Sequence, residues 1–165
     1  MPDLAWFDYS GQPLDELLSL EDRYRIDSLV VAIDQAIQQK IERVGPTSLT
    51  DEERVVLAIE ALEREVNNGG YEQFFLNSSR EFAPIIVEAL ARIGCRRMAT
   101  ITQKALDALG CAELTPDRIE TAIVEKDDDR DQALFVCDNQ FFARDDDIEG
   151  RLWGFIKDNK SKIQV

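Results

Sequence analysis

Histidine is absent from this chain. Its absence removes the commonest general base, and with it the Ser–His and Cys–His pairs of nucleophilic catalysis. Cysteine is nearly as scarce: there are three, Cys95, Cys111 and Cys137, and no Cys-x-x-Cys spacing. An odd count without paired spacing speaks against a disulfide framework and fits reduced packing residues in a cytoplasmic protein. No apolar run approaches the roughly 18 residues that a bilayer-spanning helix needs. The start, Met1-Pro2-Asp3-Leu4-Ala5-Trp6, lacks the basic residues and the apolar run of a signal peptide. No Walker-type loop and no Gly-x-Gly-x-x-Gly occurs. Paired carboxylates remain as a route to acid–base chemistry, but acids so abundant make no single pair informative. The expectation is a protein that is not an enzyme and that uses no cofactor and no metal.

What the chain has in excess is acid. Thirty-three Asp and Glu stand against nineteen Lys and Arg over 165 residues, a formal charge of −14. The excess is uneven. Residues 113–149 carry 13 acids and 4 bases, whereas residues 151–165 carry 1 acid and 4 bases. Such a charge destabilises the compact state through self-repulsion, and is tolerated where it serves solubility or a cationic partner. Nucleic acid and anionic membranes are therefore excluded as direct partners. A basic protein surface, a polyamine or a metal ion are the partners that the charge permits. A hydrophobic content of 44% argues for a folded chain despite the charge.

The apolar residues recur with the helical period throughout. Leu14, Leu17 and Leu18 share a face after the turn-like Ser10-Gly11-Gln12-Pro13. A longer helix holds Tyr24, Leu29, Val30, Ile33, Ile37, Ile41 and Val44, and Gly45-Pro46 stops it. Thr50 and Glu53 form a capping box that opens a third helix, with Val55, Val56, Ile59, Leu62 and Val66 as its buried stripe. That helix ends at Asn67-Asn68-Gly69-Gly70, where Gly69 and Gly70 are expected to allow a tight turn at positive φ. A short helix with Phe74 and Phe75 follows, closing at Asn77-Ser78-Ser79. Pro84 opens a helix that ends at Gly94, a further one spans Cys95 to Leu109, and Thr115-Pro116 caps the next. Residues 130–143 read as helix or as loop. A last helix spans Ile148 to Lys157 and buries Leu152, Trp153, Phe155 and Ile156. The fold class is all-α: a single compact domain, residues 1–165, of about eight helices.

The most specific stretch is Asn67-Asn68-Gly69-Gly70-Tyr71-Glu72-Gln73-Phe74-Phe75-Leu76-Asn77-Ser78-Ser79. Preceded by Leu57-Ala58-Ile59-Glu60-Ala61-Leu62-Glu63-Arg64-Glu65-Val66, it resembles a bacterial all-helical family that holds many uncharacterised proteins and a DNA mimic protein of about this chain's size and acidity. The resemblance covers residues 48–160 and is strongest over 51–110. Read by itself, the motif is structural. Tyr71, Phe74 and Phe75 return apolar surface to the core, while Asn67, Asn68, Gln73 and Asn77 carry amides able to satisfy helix ends, beside Ser78. An amide-lined pocket is the functional alternative.

The acid-rich stretches invite one check for calcium. Asp127-x-Asp129-x-Asp131 opens like an EF-hand loop, but Gln132 stands at position six and Asp138 at position twelve. Asp145-x-Asp147-x-Glu149-Gly150 has its glycine, but Ile156 stands at position twelve. Both fail the pattern and read as solvated acidic loops. What the resemblance implies is a different use. Surface carboxylates would imitate duplex phosphates and occupy a basic DNA-binding protein such as a transcription regulator, with Asp127, Asp128, Asp129, Asp131, Asp145, Asp146, Asp147 and Glu149 as the partner-facing residues. The protein would be a monomer or a homodimer. A surface that serves solubility alone, or an acidic helical scaffold with no DNA-binding partner, is the alternative.

Overall fold

In the structure, a computed structural model that describes residues 3–165, helix boundaries fall where caps and breakers stand. Among the described residues there are eight α-helices and no strand: α1 Leu14–Leu18, α2 Ile26–Val44, α3 Asp51–Leu76, α4 Ala83–Arg92, α5 Arg96–Ala108, α6 Pro116–Val124, α7 Asp128–Phe142 and α8 Ile148–Asp158. The fold class is all-α. Met1 and Pro2, which the expected domain included, lie outside the described residues. No helix among those described is long and apolar enough to cross a membrane. Two expectations shift. Tyr24 precedes α2, with its ring edge-on to Phe7 at 5.1 Å. The stretch 130–143, undecided between helix and loop, is helical almost throughout, as α7.

The chain divides into two compact units, one made of the residues up to Leu57 with Ile148–Val165, the other of Ala58–Asp147. In the first unit α2 packs against α1 and α8. Leu17, Leu29, Ile33, Ile37, Leu152 and Ile156 are fully buried, as the helical spacing requires. The capping box forms: Glu53 N donates to Thr50 Oγ1 at 3.1 Å, and Thr50 N donates to Glu53 Oε2 at 3.2 Å. Glu53 does more than cap. Its carboxylate has no exposure, and it accepts from Lys40 Nζ at 2.9 Å on both oxygens and from Gln164 N at 2.7 Å. Lys40 is itself only 6% exposed. Glu21 fastens α8 by accepting from Trp153 Nε1 at 2.7 Å and Lys157 Nζ at 3.0 Å. Those two bonds, the Trp153 one foremost, hold its carboxyl below the usual range.

In the second unit α4 packs against α5, and α5 against α7. Tyr71, Phe74, Phe75 and Phe141 are fully buried. They form an aromatic chain of edge and tilted contacts, Phe74–Phe75 at 5.5 Å, Tyr71–Phe75 at 6.4 Å and Tyr71–Phe141 at 6.0 Å. Such geometry suits the quadrupoles of the rings.

Removing one partner of a buried ion pair leaves the other charge stranded, which costs about 3–5 kcal/mol. Glu53→Gln is therefore expected to lower the urea midpoint of unfolding by an amount of that order, with little change in the slope. An unchanged midpoint would show that Lys40 and Glu53 contribute nothing net.

Candidate partner-binding surface

Asp127 sits at the N-cap of α7, where its side chain accepts from Arg130 N at 3.0 Å. Asp128, Asp129 and Asp131 occupy the first turn. Aspartates are favoured at this position, because the free N–H groups and the helix dipole place partial positive charge there. All four are exposed. The one base among them does not shield them evenly. Arg130 is 6% exposed, and its guanidinium donates back to the carbonyl oxygens of Ala122 and Glu125, the latter at 2.7 Å. It also meets Asp131 at 3.0 Å. Asp127, Asp128 and Asp129 are left facing solvent from a helix start. The 127–131 stretch is thus a capped helical turn and not the acidic loop that the sequence suggested, so its carboxylates are spread around a helix axis.

The second acidic cluster is put to structural use. Asp146 is half-buried and caps α5, accepting from Met98 N at 2.8 Å. Asp145 is exposed and pairs with Arg97 at 3.3 Å. Asp147 and Glu149 flank the first residue of α8 and are engaged within the molecule. Of the eight acids expected to face a partner, Asp127, Asp128, Asp129 and Asp131 are gathered on one exposed turn, whereas Asp145 and Asp146 are tied to α5.

The motif around Gly69 is structural in its details. α3 breaks at Gly69 and Gly70, so its last turn from Tyr71 is a separate short helix. Only Gly70 has the expected positive φ, +76° with ψ −177°. Gly69, at φ −160° and ψ 23°, lies outside the left-handed region. Gly70 is also packed against a carboxylate: a Cβ built there would lie 2.5 Å from Asp138 Oδ2 and 2.8 Å from its Cγ. Asp138 accepts from Tyr71 N at 2.8 Å, and Tyr71 Oη is 2.8 Å from Thr102 Oγ1. Partial burial pushes the Asp138 carboxyl above its ordinary range, and the Tyr71 N–H opposes that shift. Burial likewise raises the Tyr71 hydroxyl, against the bond to Thr102.

The amides serve carboxylates more than helix ends. Asn67 donates to Glu63 Oε2 at 2.8 Å and accepts from Arg144 Nη2 at 2.9 Å, and Asn77 donates to Glu65 Oε2 at 2.8 Å. Gln73 folds over Gly69, where its side chain occupies the space that a Cβ would take. Asn68 and Ser78 are exposed, and Phe74 lies in the core. Sequence reading missed Asp138, Thr102 and Arg144, all far along the chain from the motif they complete, and no local signal marks such partners.

Residues 47–159 match the sequence model of a family described as DMP19-like protein. No curated protein and no solved structure matches the chain.

Two contrasts test these assignments. The backbone of Gly70 lies in a region that essentially only glycine occupies, and forcing a side chain there costs on the order of 1–3 kcal/mol. Gly70→Ala is expected to lower the melting temperature markedly, whereas Gly69→Ala, whose Cβ meets only the side chain of Gln73, is expected to shift it less. Among the acids, Asp127→Ala removes a helix cap and is expected to cost about 0.5–2 kcal/mol. Asp128→Asn and Asp129→Asn, at exposed sites, are expected to stay within about 0.5 kcal/mol of the parent. Urea unfolding of the three variants separates the cap from the displayed charge.

Proposed function

The chain belongs to the DMP19-like protein family, and from that premise we propose that it is a DNA mimic, a cytoplasmic protein whose acidic surface occupies a basic DNA-binding protein such as a transcription regulator and so modulates gene expression. The observation that carries this reading is the start of α7, where Asp127, Asp128, Asp129 and Asp131 stand exposed on one turn while Arg130 turns inward.

The chemistry is electrostatic substitution. Duplex DNA presents about one negative charge per 1.7 Å of its axis. Neighbouring positions on a helix surface stand about 5–6 Å apart, so a turn of aspartates offers several carboxylates within reach of one patch of Lys and Arg. Phosphate contacts position a DNA-binding protein and base edges give it specificity. A protein that supplies only the former competes for the cationic residues without needing a sequence. The mimic does not bind DNA, since its own charge repels the duplex.

The test is capture from the native lysate on the immobilised protein, with competing duplex DNA in the wash. A DNA-binding protein is expected to be retained, to be released by the duplex and by salt, and to be retained less by the Asp128→Asn, Asp129→Asn, Asp131→Asn triple variant. Retention that neither duplex nor salt disturbs would favour an acidic interaction module without a DNA-binding partner. A shift of a duplex probe by the protein alone would overturn the reading.

A further inference from the structure

α7 is apolar on the wrong side. Its packed face is complete without help: Arg130, Leu134, Cys137 and Phe141 follow at i, i+4, i+7 and i+11, and all are buried. The opposite face should be polar in a helix of this kind. It carries Asp128, Gln132, Phe135, Asn139 and Phe142 at i, i+4, i+7, i+11 and i+14, with Val136 beside Phe135. Phe135 is 58% exposed, Val136 44% and Phe142 47%. Single exposed apolar residues are ordinary, but three within two turns of one helix make a contiguous patch of the sort that marks a binding surface.

The patch and the acids share one helix face. By the rise of an α-helix, Asp128 lies about 10 Å from Phe135 along the axis and Phe142 about 10 Å beyond that. We infer that this face of α7 docks a cationic amphipathic helix of the partner, whose apolar side chains cover Phe135, Val136 and Phe142 while its Lys or Arg residues meet Asp128 and Asp131. The inference rests on the reading of α7's acids as partner-facing, and adds an apolar half that phosphate imitation does not require.

Three arguments select this occupant. Exposed ion pairs are individually weak and screened by salt, so aspartates alone give on-rate and orientation but little hold; interfaces draw most of their affinity from a few buried anchors, aromatic ones prominent among them. An anionic surface, whether lipid or nucleic acid, would bring like charge against the aspartates at the end of the same stripe. A second copy would bring another chain of −14, and in a parallel pairing would set aspartate on aspartate. A helix in which apolar residues at i, i+3, i+4 and i+7 are followed one or two turns on by cations fits both halves.

The probe is a fluorescent Leu/Lys peptide of about five helical turns, with its Leu residues on one face. Two control peptides have Leu replaced by Ser, or Lys by Glu. Anisotropy titrations of the full-length protein are run at about 0.1 M and about 0.5 M salt, between which the screening length falls by half or more. The Leu/Lys peptide is expected to bind, and both controls to bind at least about tenfold more weakly. Phe135→Ser with Phe142→Ser should weaken binding of the Leu/Lys peptide by about tenfold or more at both salt concentrations. Asp128→Asn with Asp131→Asn should weaken it mainly at low salt. Far-ultraviolet dichroism checks that both double variants fold, and Val136→Ser, a smaller change within the patch, is the substitute if the phenylalanine variant does not.

Equal binding of the Leu/Lys and Ser/Lys peptides, with only the aspartate variant impaired, would overturn the apolar half and leave the DNA-mimic reading standing. Binding indifferent to both double variants would remove α7 from either role. A concentration-dependent dimer in sedimentation, lost with Phe135→Ser and Phe142→Ser, would assign the patch to a second copy and overturn the cationic helix.

Discussion

One buried carboxylate organises the first unit. Glu53 takes the amide of Thr50 at the start of α3, the ammonium of Lys40 from α2 and the amide of Gln164 near the end of the chain. Thr50 adds its own hydroxyl to the carbonyl of Lys162 at 2.6 Å. Buried ion pairs as such are no guarantee of stability, since an apolar pair of the same volume can do as well. An apolar side chain at position 53 could not accept these two part-buried backbone N–H groups, and an N–H group left without an acceptor costs up to about 1–3 kcal/mol where water cannot reach it. The charge is thus required by the backbone it caps, and Lys40 is required by the charge. α3, which begins here, runs on to supply the motif of the second unit.

The second unit solves a comparable problem with a different acid. At Gly70 the chain must turn between two helices, and the Tyr71 N–H stands just past that turn. Asp138, from the middle of α7, fills the space where a side chain at position 70 would be and accepts that N–H. The glycine therefore has two reasons, a positive φ and a close approach. The invading group is charged and partly desolvated, so its carboxyl is held above the ordinary range. The cost is accepted because α7 is thereby fixed to the turn, and with α7 the aspartates of its first turn.

Burial does not sharpen the overall charge: among the described residues four acids, Asp34, Glu52, Glu53 and Glu63, and two bases, Lys40 and Arg130, are buried. What the fold changes is local. Arg130 would neutralise its neighbours in an extended chain, but in α7 it points inward to the end of α6 and pairs with Asp131 alone, leaving Asp127, Asp128 and Asp129 without it. The sequence charge of 113–149 thus understates how acidic one turn becomes, and overstates the second cluster, where Asp146 is spent on the α5 terminus. A count of acids cannot tell a displayed carboxylate from a cap, because the difference lies in which N–H group the fold brings near.

The helices were legible wherever the apolar stripe had one face and a recognisable cap, as at Thr50 with Glu53 or at Thr115 with Pro116, and the break at Gly70 was legible because glycine there has a physical use. α7 was not. Its buried residues keep the helical period, but Phe135, Val136 and Phe142 lie off that stripe and blur it, so the stretch read equally as helix or loop. The blur is itself informative. A residue set chosen only to fold α7 would place polar side chains on its outer face and show a clean period. Where a local rule is broken for little gain in packing, some other demand holds the residues in place. The same three side chains that obscured the helix in the sequence stay largely exposed, Phe142 touching the core only edge-on against Phe141 at 5.8 Å, and Phe135 and Phe142 stand in line with Asp128 of the first turn.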